Sequence, residues 1–238
     1  MVPPGEVTPL SPGRTIGAML LIVLATVLGR LAAMLAVGLA LGRIDLGALD
    51  ETTGRADGLL FSVGILGAAA TGGATMWAIL RRHEPSRYLA LARPRGLALA
   101  VLTSLALVAL FDAARWFTTG ALMPAVWAQT YASAGSLPLL LLALVVVAPI
   151  FEETLFRGFL FRGLAASRLG PAGTIAVTSL LFTLAHGPED LLDALDPLAA
   201  AILLGIIRHR SGSITAGILV HALGNLQAIV MVGLMSAS

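Results

Sequence analysis

Residues 137–157 read LPLLLLALVVVAPIFEETLFR, an apolar run from Leu137 to Phe151 that passes directly into Glu152, Glu153 and, one turn later, Arg157. A helix crosses the hydrocarbon layer with about 20 mostly apolar residues, so this stretch reads as a membrane helix. Charges within such a helix are expensive, which makes each of them a functional candidate. On a helix Glu153 and Arg157 stand at i and i+4 on one face, where Arg157 can neutralise Glu153. Glu152 projects about 100° away and is left to meet another group. The plainer alternative is that the three residues only mark the cytoplasmic end of the helix, with Arg157 snorkelling to the headgroups.

The rest of the chain is of the same kind. Of its 238 residues 58% are hydrophobic and 12% charged, and mean hydropathy is +0.93, whereas soluble domains carry about 25% charge. The expected fold class is therefore all-α, a polytopic transmembrane helical bundle surrounded by membrane lipids. All 15 basic residues are arginine, which with the abundance of Ala, Leu and Gly suits GC-rich coding and a bacterial inner membrane. Although the net charge is +2, the arginines lie scattered between apolar runs and form no basic face for nucleic acid. With no cysteine, disulfides, a thiol nucleophile and thiolate metal sites are excluded.

Apolar stretches near 15–42, 58–80, 97–119, 137–160, 171–187, 198–208 and 213–235 give about seven membrane helices. The first, from Thr15 to Gly42, is longer than the core of about 7–15 residues in a signal peptide and reads as a retained span. The sixth is short for a crossing, so it is tilted, re-entrant or extended upstream. Polar turns are expected at 54–58, 84–86 and 93–95, beyond a Pro-rich start at Val2-Pro3-Pro4. Ten arginines fall in the loops 81–96, 157–170 and 208–212, against Arg43 and Arg55 in the alternate loops, and 188–197 holds four acids and no base. Arginine-rich short loops stay inside, so the N-terminus is expected in the cytoplasm and the C-terminus outside. No repeat or second domain is visible, and residues 1–238 read as a single membrane-embedded domain whose polar motifs lie in 137–235.

Two further polar islands interrupt the apolar runs: Phe182-Thr183-Leu184-Ala185-His186 and His221-Ala222-Leu223-Gly224-Asn225. A lone buried His is more often a hydrogen-bonded packing residue, but His221 and Asn225 share a face at i, i+4 and a second His arrives on another helix. At a rise of about 1.5 Å per residue, His186 lies about 22 Å along helix five, His221 about 15 Å along helix seven and Glu152 about 24 Å from Arg168. The islands meet if helix four runs on towards Arg168, with tilt and kinks at Gly158 and Gly163 absorbing the difference. They do not meet if it stops at Arg157.

The order EExxxR, FxxxH, HxxxN on membrane helices four, five and seven resembles the CPBP intramembrane protease family, the CAAX-processing and bacteriocin-processing (Abi-type) enzymes, over residues 137–235. The resemblance implies a protease domain with its active site inside the membrane. By it Glu152 is the general base that activates water, Glu153 with Arg157 shapes the site, His186 assists the water or binds a metal, and His221 and Asn225 hold the developing oxyanion. Amide hydrolysis does need a base and donors aimed at the tetrahedral oxygen. The family has been described both as metalloproteases and as glutamate-dependent enzymes. A divalent metal such as zinc would take Glu152, His186 and His221 as a His2Glu set, although HExxH is absent. The implied substrate is a membrane-associated protein or peptide, with a leader peptide or a C-terminal sorting tail as the expected kinds.

Other intramembrane protease signatures are missing: His83-Glu84 lacks the second His of HExxH, and neither GxGD nor GxSG occurs. The competing class is a non-enzymatic membrane protein, an immunity factor or small transporter, and its support is that Arg30, Asp112 and Arg115 are intramembrane charges outside every motif. Arg30 and Asp112 each lie about 22 Å deep, so they are possible partners across helices. Alternatively Asp112 pairs with Arg115 at i+3 and Arg30 lines a wet cavity. Transporters usually show internal repeats, and none is present.

Overall fold

The computed structural model describes residues 7–42, 57–122, 125–188 and 191–236, and among them there are helices and no strand. In chain order they are α1 (Pro12–Ala40), α2 (Gly58–Leu80), the short α3 (Pro85–Tyr88), α4 (Leu97–Thr119), α5 (Ala125–Ala132), α6 (Leu137–Ala165), α7 (Gly170–Ala185), α8 (Leu191–Ser211) and α9 (Thr215–Ser236). The Pro-rich start, Arg43, Arg55, the 54–56 part of the first turn, Glu189 and Asp190 lie outside the described residues. Where a turn was expected at 84–86 there is instead the single helical turn α3, entered through Glu84 at φ 48°.

Among the described residues five helices, α1, α2, α4, α6 and α9, are long and apolar enough to cross a membrane, against about seven expected. The two remaining stretches are also helical, but α7 has 16 residues and a length of about 24 Å, short of a hydrocarbon layer about 30 Å thick. Helix α8 is long enough only because it extends upstream to Leu191, which puts Asp193 in its first turn and Pro197 inside it. Acidic residues there suit the positive end of the helix dipole.

Helix α6 runs 29 residues to Ala165, so it continues past Arg157 as the meeting of the islands requires. It is not a uniform α-helix. Two π-helical segments, Leu142–Val147 and Thr154–Leu160, flank the turn Ala148–Glu153 that carries both carboxylates. Pro149 lacks an N–H and crowds the carbonyl four residues back, and widening to a π turn is one way a helix accommodates that.

The chain divides into two compact units, one of residues 1–20, 76–111 and 150–221, the other of 21–75, 112–149 and 222–238. In the first, Ala100, Leu204, Ile207, Ala216 and Val220 form an apolar cluster joining α4, α8 and α9. In the second, α1 and α2 pack through small residues: a Cβ on Gly29 would fall 2.5 Å from Gly67 O, and Thr71 Oγ1 donates to Ala25 O at 2.7 Å. Small side chains spaced by four let membrane helices approach closely enough for such contacts. Ala134, Leu140, Leu144 and Ile229 make that unit's core.

Candidate active site

In the first unit, helices α6 and α9 bring four of the six motif residues, Glu152, Glu153, Arg157 and His221, into one cluster. Glu153 and Arg157, both fully buried, are joined by Arg157 Nη1 donating to Glu153 Oε1 at 2.9 Å. Arg157 Nη2 donates to Ala201 O on α8, also at 2.9 Å, and Arg208 Nε donates to Arg157 O at 3.0 Å. The expected i, i+4 ion pair is thus present, at the junction between the α turn and the second π segment.

His221 on α9 lies between the two carboxylates. Its Nδ1 is 3.3 Å from Glu153 Oε1 and its Nε2 3.8 Å from Glu152 Oε2. The Glu152 side chain is 26% exposed and that of His221 11%, so the array is sheltered but open at the Glu152 end. Glu152 Oε2 and Glu153 Oε2 are both buried without a hydrogen-bond partner. Room for the Glu153 carboxylate comes from Gly217, one turn before His221: a Cβ there would stand 2.7 Å from Glu153 Oε2.

His186 ends α7 with an exposed ring. Its Nδ1 is 2.8 Å from Phe182 O; a carbonyl only accepts, so that nitrogen carries the proton. Phe182 ties His186 to the rest. Its ring lies 4.3 Å from that of His186, 5.9 Å from that of His221 and 5.3 Å from that of Phe156, and the Arg157 guanidinium stands 4.6 Å over it. Asn225 belongs to the second unit, where its Nδ2 donates to Leu144 O at 2.7 Å. Nearby in sequence, Gln227 Nε2 donates to Asp112 Oδ2 at 3.1 Å.

Among the described residues no three His, Asp or Glu side chains converge so as to hold a metal ion. A ligating histidine usually donates its other ring N–H to a carboxylate or a carbonyl, and His221 Nδ1 and His186 Nδ1 are so placed, against Glu153 and Phe182 O. Several contributing residues have no role in the sequence reading. Phe182 entered it only as the first letter of FxxxH, Arg208 only as a loop arginine of 208–212, although it stands in the last turn of α8, and Gly217 and Gln227 not at all. The one available signal was the spacing of Gly217 from His221, which puts both on one face of α9.

Residues 134–227 match the family model described as type II CAAX prenyl endopeptidase Rce1-like. No curated protein and no solved structure matches the chain. The match covers the segment that holds EExxxR, FxxxH and HxxxN, so this segment is similar to the CAAX protease family, and five helices among the described residues are long and apolar enough to cross a membrane, as in a multi-pass membrane protein.

Proposed function

We propose that the protein is an intramembrane endopeptidase in which Glu152 activates water directly. What supports this reading is the placement of His221 between the two carboxylates. With Nδ1–H donating to Glu153 Oε1, the Nε2 lone pair and Glu152 Oε2 are two acceptors 3.8 Å apart, both within about 2.8 Å reach of the two protons of one water. A water so held turns its oxygen lone pair outward. As the carbon–oxygen bond forms, its proton passes to Glu152 and the carbonyl π pair becomes the oxyanion. When the tetrahedral carbon collapses, the carbon–nitrogen bond breaks and Glu152 returns the proton to the leaving amine. Glu153, held by Arg157, keeps the His221 ring in the required tautomer, and His186 is linked to that ring through Phe182.

The substrate is a membrane-associated protein or peptide. For a chain of this composition a leader peptide or a C-terminal sorting tail suits better than the prenylated tail in the family's name. The proposed orientation is N-terminus in the cytoplasm and C-terminus outside. Reporter fusions after Arg95 and after Asp193 are expected on opposite sides; both on one side would mean that α7 does not cross.

The decisive experiment is cleavage by purified protein in liposomes. Glu152→Gln keeps size and hydrogen bonding but removes the base, and is expected to lower the rate at least about 10²–10⁴-fold with the protein still folded. In the same assay, prolonged chelation is expected to leave the wild-type rate unchanged; loss restored by zinc would instead put Glu152, His186 and His221 around a metal. Cleavage by Glu152→Gln at the wild-type rate would end the assignment of Glu152 as the base, and absence of cleavage by the wild type would favour the binding-only reading.

A further inference from the structure

Residues 88–92 lie outside the matched segment, yet they touch both helices of the cluster formed by Glu153 and His221, all within the first compact unit. Two of their side chains are seated on α6. Tyr88 is fully buried, with its ring 6.1 Å from that of Phe159 and the Arg162 guanidinium 5.5 Å over it. Arg162 Nη1 also donates to Arg87 O at 3.2 Å. Leu89 rests on Gly158: a Cβ there would stand 3.0 Å from Leu89 Cδ2 and 3.4 Å from Leu89 O. Ala90 then turns the chain with φ at 58°, a left-handed conformation that is uncommon for a residue with a Cβ and persists only where the surroundings over-determine it. From this turn onward the segment meets the start of α9. The first N–H groups of a helix have no partner within it. Here Ile214 N donates to Ala90 O at 3.1 Å and Thr215 N to Ser213 Oγ at 3.0 Å. The Ser213 side chain, fully buried, in turn donates to Ala92 O at 2.6 Å.

We propose that Tyr88–Ala92 is a spacer that holds the start of α9 against α6, and that Leu89 and Ser213 are positioning residues which set the contact between His221 and Glu153. Glu153 is five residues before Gly158 on α6, and His221 is seven after Ile214, about 10 Å or two turns along α9. Both stretches are helical, so a displacement of either seat is passed on to the 3.3 Å contact between His221 Nδ1 and Glu153 Oε1. The chain joining those two residues is 68 positions long and does not fix their separation by itself. The left-handed turn at Ala90 lets one short segment offer side chains to one helix and carbonyls to the other. An effect on rate rests on the protease reading, whereas an effect on the His221 ring does not.

The test compares kcat with the imidazole nitrogen NMR signals of the full chain, labelled at histidine in nanodiscs, the His221 signal being identified by its loss in His221→Gln. A neutral imidazole has two tautomers with distinct signals, and Glu153 holds His221 as the Nδ1–H form. Ser213→Ala removes the bond to Ala92 O and the cap on Thr215 N. It is expected to shift His221 away from that form and to lower kcat per folded molecule about 10²-fold at constant KM, as misplacement of a reacting group by about 1 Å does. Ser213→Thr, which keeps the hydroxyl, should recover most of both. On the α6 side, Gly158→Ala crowds Leu89 and Leu89→Ala empties its seat. Each should move the His221 signal and lower kcat by a smaller factor, and the double variant should recover part of both, because residues in contact are not additive. A folded Ser213→Ala protein with the wild-type His221 signal overturns the proposal, even where kcat or the thermal midpoint has fallen. If Ser213→Ala gives no folded protein, the α6-side variants decide: a signal that is unmoved, or that moves without relief in the double variant, refutes the spacer. A wild type that cleaves nothing ends the protease reading and leaves the His221 signal to decide the spacer.

Discussion

Helix α6 carries the same backbone irregularity twice, and the two copies differ in cause and in surroundings. The first π segment, Leu142–Val147, precedes a proline, lies in an apolar core with Leu140, Leu144 and Ile229, and has the carbonyl of Leu144 met by a neutral amide. The second, Thr154–Leu160, has no proline in it or after it before Pro171. Its residues from Leu155 to Leu160 are all buried, and the carbonyl of Arg157 is met by a guanidinium. The first meets its single side-chain donor from α9, whereas the second is tied to α8 twice, through Arg157 to Ala201 O and through Arg208 to Arg157 O, beside the buried Glu153–Arg157 pair. The second should therefore be the more sensitive to loss of a partner.

The strongest way to break that contrast is Arg157→Met. It leaves Glu153 fully buried with no cation and removes the hydrogen bond to Ala201 O. Removing one partner of a buried pair typically costs about 3–5 kcal/mol, because the other charge stays behind. Arg157→Met is expected to yield little folded protein, and Glu153→Gln in the same chain should restore part of the stability by removing the orphaned charge. Thermal unfolding of the two variants decides the matter; a double variant no more stable than Arg157→Met would show that the second segment does not depend on this charge balance.

The contrast also explains what the sequence makes legible. Apolar length and the i, i+4 spacing of Glu153 and Arg157 suffice for the membrane helix, its ion pair and its continuation past Arg157, because all three follow from helical periodicity and burial cost. Two of the expected seven spans were harder, since α7 is apolar but short and α8 is long but charged. The π registers were not readable: runs such as LALVVV and TLFRGFL suit either register, and the side chains that meet the carbonyls of Arg157 and Leu144, those of Arg208 and Asn225, lie 51 and 81 residues away. Gly217 and Phe182 were hidden for a related reason. A glycine that makes room and a ring that bridges two histidines show their purpose only when another helix is opposite them.

A smaller effect sharpens the same comparison. Gly217→Ala places a methyl 2.7 Å from Glu153 Oε2, whereas Gly224→Ala on the same helix meets nothing within 4 Å. Overpacking a filled site typically costs about 1–3 kcal/mol, and here the displaced group is the carboxylate that orients His221. Gly217→Ala is expected to lower kcat about 10²-fold with little change in KM, while Gly224→Ala should match the wild type in rate and be no less stable. Equal rates for the two variants would mean that the position of Glu153 does not matter to the reaction.

The smallest effect concerns Asp112 and Gln227, the polar pair of the second unit that lies outside every motif. Gln227 Nε2 donates to Asp112 Oδ2 at 3.1 Å, joining α9 to α4. Gln227 is two residues from Asn225, so the two amides point about 200° apart around α9 and removing one leaves the other's geometry alone. Side-chain hydrogen bonds between membrane helices are worth about 0.6 kcal/mol on average and at most about 1.7, because the separated helices find other partners. Gln227→Leu should therefore lower the thermal midpoint slightly and leave kcat unchanged. A fall in kcat at an unchanged midpoint would move Asp112 and Gln227 from the scaffold into the working part of the molecule.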